Sequence, residues 1–238
     1  MKRLLTHLLP IGMIAALVVG AFVPGAALAL TPRSPQIGFS SATLQAYLTS
    51  KSQTITVTTD QVDQQVWTTS LSGNSTFTIM AQLTPIAPAG PTGNEIGVYN
   101  TPDLSPVLFT VLPKTAGVDW YATVHFGSGG TLSVSLFNNL GVFQSTTGYT
   151  GVNQSKFGFY IKGAGGTFYS QDWRNGGKAQ VLTYAGTGTS FGTWWECFED
   201  SPYDAGTSDF DDAILNLQSV VTTPAHSRSW GSVKLDGR

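Results

Sequence analysis

The stretch Thr131-Leu132-Ser133-Val134-Ser135-Leu136 alternates strictly between polar and apolar side chains. Successive side chains of a β-strand point to opposite faces of its sheet, so this pattern predicts a strand with Leu132, Val134 and Leu136 on a buried face. Apolar residues elsewhere in the chain also fall in short runs, which are bounded by Gly, Pro, Asn and Ser. Short strands at such close spacing are typical of a β-sandwich or jelly roll. We therefore expect an all-β, single-domain fold.

Working outward from this stretch, the same features predict further strands on both sides of it. These strands cover residues 54–59, 65–70, 76–83, 95–99, 107–112, 120–126, 156–161, 167–169, 180–184, 194–198 and 212–221. A short helix is predicted over 42–48, because Leu44, Tyr47 and Leu48 have the i, i+3 and i+4 spacing of one helical face. No long linker or internal repeat interrupts the chain, so residues 30–221 are predicted to form one domain.

The composition excludes several classes of protein. Charged residues make up 11% of the 238 positions, where roughly 25% is usual for a soluble domain. With 12 basic and 14 acidic residues, the chain is neither a coiled coil nor a basic nucleic-acid-binding protein. Its single cysteine, Cys197, cannot form an intramolecular disulfide and is predicted to be a small buried apolar residue within the strand 194–198.

The two ends of the chain differ from its centre. Lys2 and Arg3 precede an apolar run that closes with Ala27-Leu28-Ala29, the pattern of a secretory signal peptide over residues 1–29. A retained anchor helix is the alternative. No other segment is apolar over the length of a membrane span, so we expect a secreted or cell-surface protein without a further span. Residues 222–238 are predicted to form a C-terminal tail.

Acidic residues concentrate near the end of the predicted domain. Seven of the 14 lie between Glu196 and Asp212, and no Lys or Arg occurs between Lys178 and Arg228. Crowded carboxylates raise one another's pKa values unless a cation neutralises them. If the strands 194–198 and 212–221 pair as a hairpin, acids that leave the first strand face acids that enter the second. The loop 199–212 between them is therefore a candidate ion site.

The donor types in this loop favour calcium. The predicted ligands are Glu199, Asp200, Asp204, Asp209, Asp211 and Asp212. All are hard oxygen donors without a nearby His or second Cys, which suits Ca²⁺ better than tetrahedral Zn²⁺ or octahedral Mg²⁺. The loop is not an EF-hand, because Ala205 and Asp211 stand where that motif has Gly and Glu. The alternative interpretation is a solvated acidic loop without an ion.

Two quoted segments resemble a known family. Phe198-Glu199-Asp200, followed after a loop by Ser208-Asp209-Phe210-Asp211-Asp212-Ala213-Ile214-Leu215, resembles the F-E-D, loop, D-x-D-[FY]-N-D pattern of the exported bacterial domain-of-unknown-function 4114 family. Residues 167–184 are similar to the segment that precedes this pattern in the family. The chain departs from it at Thr207, which takes the place of the first Asp, so that one ligand is lost or supplied by Asp204. The resemblance implies an exported β-sandwich with a calcium-binding loop, of the kind found in bacterial surface and matrix proteins.

The predicted function is that of an exported, non-enzymatic calcium-binding module in surface adhesion or extracellular matrix assembly, with a surface glycan or a matrix protein as partner. One alternative is a carbohydrate-binding module that uses exposed aromatic residues, Trp173 and Trp195. Another is a glycoside hydrolase in which Glu199 pairs with Asp209 or Asp211 across the scissile bond, with Trp173, Trp194 and Trp195 stacking on sugar rings. The chain contains no H-E-x-x-H or Walker motif.

Overall fold

A computed structural model describes residues 30–69, 77–84, 93–218 and 220–222. Its described residues form antiparallel β-sheets with a single α-helix, which confirms the predicted all-β sandwich. The predicted signal peptide 1–29 and residues 223–238 of the predicted tail lie outside the described residues. Among the residues that are described, no helix combines the length and the apolar character needed to cross a membrane.

Within the described residues, one α-helix and thirteen strands follow one another. Helix α1 is Ala42–Ser50, and the strands are β1 Trp67–Thr69, β2 Phe77–Thr84, β3 Glu95–Asn100, β4 Leu108–Leu112, β5 Tyr121–Gly127, β6 Thr131–Phe137, β7 Phe143–Thr150, β8 Phe157–Gly163, β9 Gly166–Tyr169, β10 Val181–Ala185, β11 Trp194–Phe198, β12 Ala213–Leu217 and β13 Val220–Thr222. Short 3-10 helices lie at Asp172–Asn175 and Gly188–Ser190.

The strands form two sheets. A seven-stranded sheet has the order β10-β11-β12-β2-β5-β6-β7, and the second sheet has the order β13-β1-β8-β3-β4, with β9 paired to β8. The main core lies between them and includes Leu132, Val134 and Leu136 of β6, as the alternation predicts. Trp67, Phe157 and the other apolar side chains of the second sheet close this core from the opposite side.

A second core covers the outer face of β10, β11 and β12. Leu44 and Leu48 of α1 pack there against side chains of the three strands, among them Cys197. Side chains alternate along β11, so Trp195 and Cys197 face α1 whereas Trp194, Glu196 and Phe198 face the main core. These three strands are consequently buried on both faces, and the predicted burial of Cys197 is confirmed.

The structure differs from the sequence prediction in three segments. Residues 54–59 form no strand. Their apolar residues Ile55 and Val57 alternate with polar ones because both pack into the second core. The amide of Thr59 donates to the carbonyl of Thr56 in a turn. Strand β7 was missed because nearly all its side chains are exposed, so it has no apolar period to detect. The predicted strand 212–221 is divided, since β12 ends at Leu217 and β13 begins at Val220 in the other sheet.

Candidate metal centre

The acidic loop connects two strands that pair with each other. Strands β11 and β12 are antiparallel, and their terminal pair is Phe198 with Ala213, which confirms the predicted hairpin. Glu199 follows directly on the first strand and its amide donates to the carbonyl of Gln180 at 3.0 Å. Asp212 immediately precedes the second strand. The first and last acids of the loop are therefore held at the end of the doubly covered part of the sheet.

Three carboxylates converge at this position. One oxygen from each of Glu199, Asp209 and Asp212 lies within 4.8 Å of the other two, an arrangement that could hold a metal ion. Glu199 is buried, whereas both aspartates are half-buried. The loop orients these groups: Glu199 Oε2 accepts the amide of Asp209 at 3.1 Å, and Asp212 Oδ2 accepts the amide of Asp200 at 2.8 Å. We call Glu199, Asp209 and Asp212 the acidic triad.

Phe210, between Asp209 and Asp211, anchors the acidic loop in the second core. Its φ of 55° places it in the left-handed region, which costs a non-glycine residue about 1–2 kcal/mol. Its ring is fully buried in the second core and packs edge-on against Phe39, with ring centroids 5.2 Å apart. Complete burial of a Phe side chain contributes about 1.5–3 kcal/mol to stability. Burial therefore offsets the strain. Asp209 belongs to the triad, whereas the side chain of Asp211 lies beside it and hydrogen-bonds to the side chains of Asp209 and Thr43.

The other three predicted ligands lie outside the triad. Asp200 Oδ2 accepts a hydrogen bond from the side chain of Asn94 at 2.7 Å, and Asp204 is exposed and accepts the amide of Gly206 at 2.9 Å. Asp211 is buried at the edge of the second core. The structure thus brings together three of the six acids, and gives the remaining three hydrogen bonds within the surrounding scaffold.

Two buried amides position the loop. Gln180 accepts the amide of Tyr203 at 2.6 Å and donates to the carbonyl of Glu199 at 3.3 Å and to that of Ser201. Asn94, which immediately precedes β3, contacts the loop through Asp200. Sequence reasoning assigned neither residue to the site: Asn94 is far from the loop along the chain, and Gln180 was considered only as part of the family-like segment 167–184.

The electrostatics of the loop reflect burial and crowding. Burial, together with the charges of Asp200, Glu199 and Asp209, raises the pKa of Asp212 to about 7. Burial and the neighbouring Asp209 raise the pKa of Asp211 to about 6. Within the described part of the chain, no Lys or Arg forms an ion pair with the triad. Lys178, which precedes the basic-free stretch, donates instead to the carbonyl of Tyr203 at 3.2 Å.

The tryptophans considered for sugar stacking have different environments. Trp195 is only 6% exposed because it packs in the second core, so its expected exposure is wrong. Trp194 is half-buried and packs edge-on against Trp67 with ring centroids 5.4 Å apart. Trp173 is exposed and lies in the 3-10 helix that follows β9.

Comparisons of the chain with models of known protein families, with curated proteins and with solved structures give no match. The resemblance to the domain-of-unknown-function 4114 family therefore stays a prediction.

Proposed function

We propose that the chain is an exported, non-enzymatic calcium-binding β-sandwich module that acts in surface adhesion or extracellular matrix assembly. The acidic triad is the observation that carries this proposal. Three carboxylates within 4.8 Å, one of them buried, repel one another unless a cation lies between them. Hydrogen bonds from loop amides offset part of the free-energy cost of desolvating these carboxylates, and further carboxylate oxygens remain to coordinate an ion.

The donor set favours calcium among the common cations. The triad consists of carboxylate oxygens alone, whereas zinc sites in proteins use mainly Cys and His. The chain's single thiol, Cys197, faces the second core. Calcium accepts 6–8 oxygen ligands in flexible geometry, so loop carbonyls and water can complete its shell, while Mg²⁺ requires near-octahedral geometry.

Calcium would act through linkage between binding and folding. An ion that binds only the folded loop stabilises the fold by RT ln(1 + [L]/Kd), about 2.7 kcal/mol at 100 times Kd. Glu199 and Asp212 continue β11 and β12, and Phe210 anchors the same loop in the second core. An ion at the triad would therefore hold this end of the sandwich rigid for contact with a surface glycan or matrix protein.

The proposal predicts that calcium raises the melting temperature of the mature chain, Leu30 to Arg238. Against EDTA, a rise of about 5–10 °C is expected at 100 times Kd, because a chain of this size gains about 2–4 °C per kcal/mol. The variant carrying both Asp209→Asn and Asp212→Asn should lose this response. The matched control is Asp204→Asn, which removes an exposed acid from the same loop and should retain it.

Two results would contradict the calcium site: no shift of the wild-type protein at millimolar calcium, or a shift that survives in the double variant. An equal shift with magnesium would contradict the choice of ion. Polysaccharide hydrolysis that disappears in Glu199→Gln would contradict the non-enzymatic assignment and establish the glycoside hydrolase alternative instead.

A further inference from the structure

Trp173 presents a large aromatic side chain to solvent from a rigid support. Its side chain is 55% exposed, and it lies in the 3-10 helix Asp172–Asn175 between β9 and β10. Asn175 fixes this helix to the end of β9, since its side chain accepts the amide of Tyr169 at 3.0 Å and donates to the same residue's carbonyl at 2.7 Å. Asp172 is fixed in turn by Arg33 at 2.8 Å.

Arg174 immobilises the indole from one side. Its guanidinium carbon lies 4.3 Å from the centroid of the Trp173 ring and 5.1 Å from that of Tyr99. The same guanidinium donates to Gln171 Oε1 and to the carbonyl of Thr101, both at 2.9 Å, and also to the carbonyls of Asp103 and Leu104. An aromatic ring that is held this way loses little conformational entropy when a ligand stacks on it.

A depression of about 420 Å³ adjoins the exposed ring. It is lined by Leu104, Ser105, Pro106, Tyr169, Trp173 and Arg174. This volume lies in the range of small-molecule sites, and the lining combines apolar rings with a hydroxyl group. Stacking and hydrogen bonding are therefore both available to a ligand at this position.

The charges around the depression restrict the class of ligand. A cationic ligand would meet the positive charge of Arg174, which already occupies the cation-binding position over the indole. An anion would need donors, but most N–H groups of this guanidinium are bound to carbonyl and amide oxygens. Proline-rich peptides are recognised by grooves lined with several aromatic rings, whereas Tyr169 is half-buried here. The remaining class is a neutral ring with a flat C–H face and hydroxyl groups.

We infer that Trp173 and the adjoining depression bind a neutral pyranose ring of a polysaccharide, which stacks on the indole and hydrogen-bonds to Ser105 and nearby backbone groups. The site contains no residue of the acidic loop, so it does not depend on the ion. A glycan that binds here would be the partner of the proposed adhesion module, and its site would be separate from the acidic triad.

Binding of cellohexaose, maltohexaose and xylohexaose to the mature chain, followed by calorimetry, tests this inference. At least one of the three should bind, and Trp173→Ala should weaken that binding by about tenfold or more, as expected for a central aromatic contact. Trp173→Tyr should restore part of the affinity. Arg174→Lys should weaken binding by a smaller factor, because the indole is no longer fixed.

The matched control is Phe191→Ala, which removes an aromatic side chain that is 87% exposed on a different loop and should leave the affinity unchanged. Unfolding curves of all variants separate a lost contact from a lost fold. The inference is overturned if none of the three sugars binds, if Trp173→Ala binds as wild type does, or if a decaproline peptide binds at Trp173 in their place. Affinities should be equal in EDTA and in calcium, so failure of the ion site leaves this test intact.

Discussion

The two ends of the seven-stranded sheet differ in what covers them. At one end, β10–β12 lie between the main core and the second core, and every residue of β11 except Trp194 is buried. At the other end, β7 is exposed along nearly its whole length on both faces. Both ends use the same antiparallel hydrogen bonding. The difference is therefore one of packing rather than of backbone geometry.

Buried acidic side chains occur at the covered end of the sheet, formed by β10–β12. Glu196, Glu199 and Asp211 are all buried there, whereas the polar side chains of β7 are uncharged: Gln, Ser and Thr are in contact with water, and Tyr149 is half-buried against the main core. Water stabilises a carboxylate wherever it can reach it, so only a covered strand can hold acids whose repulsion remains strong. The second core thus creates the conditions for ion binding as well as burying apolar surface.

The largest expected effect compares one substitution at each end of the sheet. Leu48→Ala empties a position that is 0% exposed in the second core and should lower the free energy of unfolding by about 3–4 kcal/mol. Leu140→Ala removes the same atoms from a side chain that is 81% exposed beside β7 and should cost less than about 0.5 kcal/mol. Urea unfolding measures both values, and similar costs would mean that α1 does not seal the covered end.

A smaller effect concerns pH at the covered end. Burial raises the pKa of Glu196, which is 0% exposed, from its usual 4.5 to about 8. Because the folded state holds this proton where the unfolded state has lost it, stability falls as pH rises from about 4.5 to about 8. Glu196→Gln keeps the acceptor for Thr183 but cannot ionise. Between pH 5 and pH 8, the free energy of unfolding of the variant should therefore fall by about 2–3 kcal/mol less than that of the wild type.

Urea unfolding in EDTA at both pH values checks this prediction, with Asp103→Asn as the control because that carboxylate is exposed. The raised pKa values of Asp211, Asp212 and Asp172 act in the same direction, so the wild-type slope contains several contributions. Only the difference between wild type and Glu196→Gln isolates the buried glutamate. Parallel slopes for the two proteins would show that Glu196 is already ionised in the folded state.

The smallest expected effect is at the exposed end of the sheet, in β7. Thr146→Lys places a charge at the middle of β7 and should change the free energy of unfolding by less than about 0.5 kcal/mol, since the side chain remains in water. Strand β7 lies at the edge of its sheet and carries no charge of its own. Thermal unfolding measures the effect, and a loss of several degrees would reveal packing on β7.

Sequence reasoning succeeded where side-chain burial follows a regular period. Strand β6 alternates because one face is buried and the other is not, and β11 has the predicted bounds. It failed for β7, which has no buried face, and for Ile55 and Val57, which are buried by packing in the second core without pairing as a strand. An alternating apolar pattern indicates which side chains are buried. It identifies a strand only where a sheet buries those side chains.

The site was predictable to the level of the loop. Composition and the predicted pairing of β11 with β12 located the acids, but neither indicates which three of the six converge. The loop conformation that brings Asp209 to Glu199 and Asp212 includes a left-handed backbone at Phe210, and a positive φ at a phenylalanine has no sequence signal. Gln180 precedes β10 and Asn94 precedes β3, so only the tertiary fold brings them to the loop.

The buried thiol of Cys197 gives the covered end a kinetic property. It is the chain's single cysteine, and burial raises its pKa well above the usual value, with Glu196 and Asp211 adding to the effect. Thiol reagents attack an accessible thiolate, so modification must wait until α1 separates from the sheet. The rate of modification therefore records how often this packing opens in the native protein. Because Cys197 is two residues from Glu199, the chain carries its own reporter of local unfolding next to the acidic triad.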